Sequence, residues 1–208
     1  MPYSMDSSSD HCYPGTNCLI NKFGIHDAKK LDELESSIVY GKLAVLQSAP
    51  ITGTFDFPHY KRIHHFLFCD LYDWAGQART VDLFKKGTAF VPAADIERCA
   101  EALFKRLQSF HAEGLSRKAL IENIADFYHT LNMLHPFREG NGRTQRAFFT
   151  QWTAERLGLL LDLTVLNPDE LMIATIYAAQ GVMDHLEVCF DTALQIPEMK
   201  SGIGMTIL

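Results

Sequence analysis

A proline and an acidic, glycine-rich turn set between two segments of helical periodicity constrain this chain more than any other feature. The stretch reads His135-Pro-Phe-Arg-Glu-Gly-Asn-Gly-Arg143-Thr-Gln-Arg146. Before it, Leu120, Ile124, Phe127, Tyr128, Leu131 and Leu134 recur at the spacing of one helix face. After it, Phe148 and Trp152 lie one turn apart, and Gly158 offers a stop. Pro136 disfavours the α conformation at His135, so the first helix is expected to end there. The segment Glu139-Gly-Asn-Gly142 then reads as a tight turn into a second helix.

Such a turn suits an anion. Glycines bend sharply and let phosphate oxygens approach backbone N–H groups, and a helix N-terminus adds unpaired donors and partial positive charge. Arg143 and Arg146 share a face in the first helical turn and form a cationic fork matched to phosphate geometry. Gly140, Asn141 and Gly142 are therefore candidate phosphate-binding residues together with both arginines. A bare carboxylate would repel a polyphosphate, so Glu139 makes sense as a ligand of Mg²⁺, which is usually held by few carboxylates plus substrate phosphates. His135 is the candidate general base, a role worth about 10²–10⁴-fold in rate. Phe137 reads as a core anchor that fixes the loop. The Lys-Ser/Thr ending of a Walker loop is missing.

This stretch resembles the signature of the Fic family, His-x-Phe-x-(Asp/Glu)-Gly-Asn-Gly-Arg-x-x-Arg, and matches it at every defined position. Residues 64–79, His-His-Phe-Leu-Phe-Cys-Asp-Leu-Tyr-Asp-Trp-Ala-Gly-Gln-Ala-Arg, are similar to the segment upstream of that signature. The resemblance implies an all-α fold, a helical bundle with a short β-hairpin flap. It also implies transfer of AMP from ATP, with Mg²⁺, to a hydroxyl side chain of a target protein. A phosphotransferase of the Doc type is the alternative within the superfamily. There the second glycine is replaced by Lys, and Gly142 stands against it. A catalytically silent interaction module is the other alternative, opposed by intact His135, Glu139 and Arg146.

The rest of the chain is read in order. Residues 1–11 are Ser/Asp-rich and expected to be flexible, residues 12–197 to form the one domain, and residues 198–208 a loose tail. Asp27 is expected to cap a helix with the stripe Leu31, Leu34, Ile38, Val45. A second helix carries Tyr60, Ile63, Leu67 and Leu71 and closes at Trp74-Ala-Gly76. Adjacent histidines such as His64 and His65 point in different directions on a helix, so a structural role is expected rather than a metal site. Thr80-Val-Asp-Leu83 and Thr88-Ala-Phe-Val91 flank Phe84-Lys-Lys-Gly87 as a hairpin. The resemblance makes this the flap that docks an extended target segment by strand addition, with Thr80, Val81, Asp82, Leu83, Lys85, Lys86 and Gly87 as docking residues. Lys85 and Lys86 at its tip read as solvated charges. Ile96, Ala100, Leu103, Leu107 and Phe110 form the next stripe, Ser116 caps the helix that delivers His135, and Asn167-Pro-Asp-Glu170 starts another. A last helix is expected from Asp184 to Leu194, ended by Pro197. By analogy with the family, adenine contacts are expected near Tyr177 and Gln180.

Composition narrows the setting. The 208 residues carry a net charge of −6 and are 47% hydrophobic, which argues against a general nucleic-acid or membrane-surface binder. No apolar run reaches membrane-spanning length. Five irregularly spaced cysteines suggest free thiols in a reducing cytoplasm, with Cys69, Cys99 and Cys189 in the core. Family members are often silenced by a helix whose Glu, in the pattern Ser/Thr-x-x-x-Glu-(Gly/Asn), pairs with the second signature arginine, here Arg146. Ser109 to Gly114 fits that short pattern through Glu113 but closes an internal helix, so the match is read as coincidence. Inhibition in trans by a small antitoxin carrying such a Glu is expected instead. Tyr13-Pro-Gly-Thr-Asn-Cys-Leu-Ile-Asn21 resembles the toxin and secreted-effector branch of the family.

Overall fold

In the computed structural model, residues 11–85 and 87–195 are described. The expectations for residues 1–10, Lys86, Pro197 and the tail fall outside them. Among the described residues the architecture is seven α-helices with two small two-stranded sheets. The helices are α1 Ala28–Ser48, α2 Phe57–Phe68, α3 Ile96–Ser109, α4 Arg117–Leu134, α5 Asn141–Trp152, α6 Pro168–Ala179 and α7 Asp184–Ala193.

Local chemistry sets the helix starts. Asp27 accepts from the N–H groups of Lys29 and Lys30, Ser116 from that of Ala119, and Asn167 from that of Asp169 ahead of Pro168. The C-terminal end of α5 passes into a π-helical turn, Thr153–Leu157, which stops at Gly158 with φ +65°.

Helix α5 is the hub, packed against α2 and α4, and Phe148, Phe149 and Trp152 on it are fully buried. Phe148 meets Tyr60 of α2 edge-to-face at 5.3 Å between ring centroids, the arrangement that ring quadrupoles favour. Helices α3, α6 and α7 pack around α4 and enclose it.

Several expectations are corrected. On α1 the buried stripe is Leu31, Glu35, Val39 and Leu46, whereas Val45 is 50% exposed. Helix α2 stops at Phe68, so Leu71 is buried from the following turn. The hairpin strands are only β1 Phe84–Lys85 and β2 Thr88–Ala89, in register Phe84 with Ala89 and Lys85 with Thr88. Residues Thr80–Leu83 are irregular because their polar groups serve tertiary bonds: Val81 O accepts from Arg79, and Asp82 Oδ1 from the Ala93 N–H at 2.7 Å. A second, unanticipated sheet pairs β3 Leu160–Leu161 with β4 Leu194–Gln195, which ends the last helix at Ala193. The cysteines are free, but Cys12 and Cys18 are the fully buried pair, while Cys69, Cys99 and Cys189 are half-buried. The difference follows from the N-terminal segment, which turns at Gly15 and folds in through a Cys12–Leu19 bridge.

Candidate active site

The junction between α4 and α5 frames a cavity of about 380 Å³. Its wall takes His135, Glu139, Gly140, Gly142, Arg143 and Arg146 from the junction, Lys85, Thr88 and Phe90 from the hairpin, and Leu171, Met172, Thr175 and Ile176 from α6. Seven of the sequence-identified residues, Lys85 among them, thus converge on one space.

His135 leaves the right-handed helix, but into the left-handed region at φ 41°, ψ 58°, rather than the extended region that a following proline favours. A non-glycine residue there is strained and persists only where its surroundings hold it. Here the Phe90 ring stacks on the imidazole at 3.8 Å, and the backbone carbonyl of His135 accepts from Arg79 Nε at 2.8 Å. His135 Nδ1 lies 3.0 Å from the Asn132 carbonyl oxygen, which can only accept. The proton of the neutral ring therefore sits on Nδ1, and the lone pair is on Nε2. Burial, helped by the charges of Lys85 and Arg79, pushes the imidazole down to about 3, so the ring is neutral at physiological pH.

The glycine turn is held from below. Gly140 has φ +80°, and a Cβ there would come within 2.3 Å of the Phe68 ring. Only glycine fits both the backbone and the space. Phe137 is fully buried between the rings of His64, at 3.7 Å, and Tyr60, at 5.3 Å. Asn141 does not point its side chain at a ligand: Oδ1 accepts from the Phe137 N–H and Nδ2 donates to the Phe137 carbonyl, each at 2.8 Å. Its contribution is closure of the turn. A Cβ on Gly142 would sit 3.3 Å from Arg146 Nη1, a tight approach that a small shift of the guanidinium would relieve.

Arg143 and Arg146 do not form a symmetrical fork. Arg143 Nη2 donates to Glu35 of α1 and lies 3.4 Å from Glu139 Oε1, with its guanidinium 4.9 Å over the Phe68 ring. Arg146 is half-buried in the wall beside Tyr128. Glu139 Oε1 also accepts from the Gly140 N–H at 2.7 Å. Burial and the neighbouring Glu35 raise the Glu139 carboxyl above its ordinary range. No group of three or more His, Cys, Asp and Glu able to hold a metal occurs among the described residues. One carboxylate at a glycine turn on a helix N-terminus is a donor set that suits Mg²⁺ where phosphates and water supply its other ligands.

Sequence reasoning missed Glu35 and Arg79 here, and gave His64 a structural role without its partners. Arg79, 4% exposed, bonds the carbonyls of His135, Val81 and Val91 and so ties the base of the hairpin to the histidine. His64 is fully buried: Nδ1 accepts from the Gly76 N–H at 2.8 Å, and Nε2 then donates to the Glu139 carbonyl at 3.0 Å. Burial lowers His64 to about 3, which keeps that tautomer neutral.

Other expected residues lie elsewhere. Tyr177 is 42% exposed and packs on His185, and neither it nor Gln180 reaches the cavity wall. Lys85 is half-buried in that wall instead of standing free at a tip, because the strand pairing turns its side of the hairpin inward. Thr80, Asp82 and Gly87 are exposed and Val81 is half-buried, whereas Leu83 is buried. Glu113 is exposed in a turn after α3 and does not line the cavity.

Comparison with known proteins finds relatives in sequence and in fold. Residues 54–152 match the model of the Fic/DOC family. The chain is 33% identical over 185 residues to a probable protein adenylyltransferase Fic of Salmonella typhimurium, covering 88% of this chain and 91% of that protein. It is 35% identical over 179 residues to protein adenylyltransferase VbhT of Bartonella schoenbuchensis, covering 86% of this chain but only 37% of that longer protein. Among solved structures, the BepC effector protein of Bartonella tribocorum with bound AMPPNP superposes with a TM-score of 0.83 at 28% identity, over 90% of this chain and 97% of that one.

Proposed function

The chain belongs to the Fic/DOC family, and on that premise we propose that it is a protein adenylyltransferase moving AMP from ATP to a Ser, Thr or Tyr hydroxyl of a target protein. The observation that carries the reading is His135, whose Nδ1 proton is committed to Asn132 O and whose Nε2 lone pair belongs to a residue lining the same cavity as the glycine turn and Arg146.

The chemistry follows from that tautomer. Nε2 takes the proton of the target hydroxyl as its oxygen forms a bond to the α-phosphorus of ATP. The bond from that phosphorus to the bridging oxygen breaks, and pyrophosphate leaves with the electron pair. Backbone N–H groups at the start of α5 and the Arg146 guanidinium offset the charge on the phosphates. Glu139 would hold Mg²⁺, which when bound neutralises phosphate charge. Little covalent work falls to the protein, so holding the reactants in line supplies most of the acceleration.

We assign the adenine to the wall formed by Met172, Thr175 and Ile176 of α6, because Tyr177 and Gln180 do not line the cavity. Among the described residues no third strand pairs with the hairpin, which suits strand addition by an extended target segment. No described helix is long and apolar enough to cross a membrane. A cytoplasmic site of action and restraint by a small antitoxin with an inhibitory Glu aimed at Arg146 complete the proposal.

The test is mass spectrometry of lysate proteins incubated with ATP and either wild-type or His135→Ala protein. AMP on a hydroxyl side chain only in the wild-type reaction is the expected result. A transferred phosphoryl group in its place would favour the phosphotransferase chemistry.

A further inference from the structure

Arg143 faces two carboxylates, and the nearer one comes from outside the signature. Its Nη2 donates to Glu35 Oε1, while Glu139 Oε1 stands at 3.4 Å. The other oxygen of Glu35, Oε2, accepts from the Tyr72 hydroxyl. Glu35 is 4% exposed and Tyr72 1% exposed. Glu35 also interrupts a stripe that is otherwise Leu31, Val39 and Leu46. A carboxylate at such a position is costly to bury and is tolerated only when paired and hydrogen-bonded.

One guanidinium cannot fully neutralise two carboxylates. Whichever acid holds it more closely leaves the other without a close ion pair. We propose that Glu35 is a positioning residue: it engages Arg143 as its own counter-ion and thereby keeps the Glu139 carboxylate available to a divalent cation that arrives with the nucleotide. Tyr72 orients Glu35 for this task, and Phe68 supports the guanidinium from the opposite face. The inference rests on the reading of the cavity as a nucleotide site and of Glu139 as the cation ligand.

Loss of the Glu35 charge leaves Glu139, 3.4 Å away in the turn that precedes α5, as the carboxylate next to Arg143. The two then pair more closely, and the cation loses its ligand. A distinctive signature results. ATP binds without Mg²⁺ at least as well as in the wild type, because the cavity has gained positive charge, but the gain in affinity from Mg²⁺ shrinks.

Calorimetric titration of the full chain with ATP, in EDTA and in saturating Mg²⁺, reads this directly and needs no turnover. The Mg²⁺-dependent gain is expected to fall about ten-fold in Glu35→Gln, an effect of the size that neighbouring charges show when coupled. Glu139→Gln should abolish the gain, and adding Glu35→Gln to it should change nothing more. Tyr72→Phe keeps both carboxylates and should reduce the gain by a smaller factor, which serves as the test if Glu35→Gln does not fold.

A folded Glu35→Gln protein with a lowered melting midpoint and the wild-type Mg²⁺ gain would overturn the inference, leaving Glu35 a purely structural ion pair. An unchanged gain in Tyr72→Phe would do the same where Glu35→Gln cannot be made. ATP binding by the wild type with no gain from Mg²⁺ would remove Glu139 as cation ligand, and this inference with it. Absence of ATP binding by the wild type in both conditions would instead overturn the nucleotide reading of the cavity.

Discussion

Arg79 donates its Nε–H to the backbone carbonyl of His135 at 2.8 Å, and through Nη1 it holds the carbonyl of Val81 at 2.6 Å. One side chain therefore locks the strained turn that presents the imidazole and the irregular segment that leads into the hairpin. Arg79→Lys keeps the charge but cannot reproduce a planar fork of donors. The carbonyls left without partners should lower the melting midpoint, and a small displacement of His135 can cost up to about 10²-fold in kcat/KM. Steady-state kinetics beside a thermal melt check this. Wild-type kinetics in Arg79→Lys would show that the clamp is unnecessary.

Gly140 is set both by its positive φ and by the Phe68 ring beneath it. Gly140→Ala adds a Cβ where the ring already lies, and should destabilise the fold by about 1–3 kcal/mol from overpacking, with backbone strain adding to it. Denaturant titration measures that loss.

Asn141 closes its turn through both atoms of its amide. In Asn141→Ala the buried Phe137 N–H and carbonyl lose their partners, at about 1–3 kcal/mol for each group left unsatisfied. Asn141→Asp keeps the acceptor, loses the donor and should fall between the two. Calorimetric unfolding separates this stability effect from any change in ATP affinity.

Two buried histidines, His64 and His135, have folded values near 3 against an ordinary 6.5. Between those limits the unfolded chain binds more protons than the folded one, so stability rises with pH across that window and is lost as pH falls. Each group contributes a slope approaching about 1.4 kcal/mol per pH unit. Unfolding free energy measured from pH 7 to pH 5 should drop, and the drop should be smaller in His64→Gln, provided that variant folds. Stability unchanged over this interval would contradict the burial of the neutral rings.

Much of the site is local in sequence and was readable there. Pro136, the glycines at 140 and 142 and the caps at Asp27, Ser116 and Asn167 act on neighbours within a few residues, so spacing alone reports them. What escaped depends on distant partners. Glu35 meets Arg143 across 108 residues, and nothing in the surrounding helix marks it as buried. Arg79 and His64 act on backbone carbonyls, whose positions a side-chain pattern does not encode. The face of α6 that lines the cavity was also unreadable, because α6 is apolar on several sides: Met172 and Ile176 turn toward the cavity and Tyr177 away from it.

The central claim is that His135 activates a protein hydroxyl for attack on the α-phosphorus of ATP. The most direct measurement gives lysate proteins ATP labelled on the α-phosphate in one reaction and on the γ-phosphate in another, with wild-type and His135→Ala protein in parallel. The account predicts protein-bound label from the α position only, and none with His135→Ala. Label from the γ position, or α label that persists without His135, would contradict it.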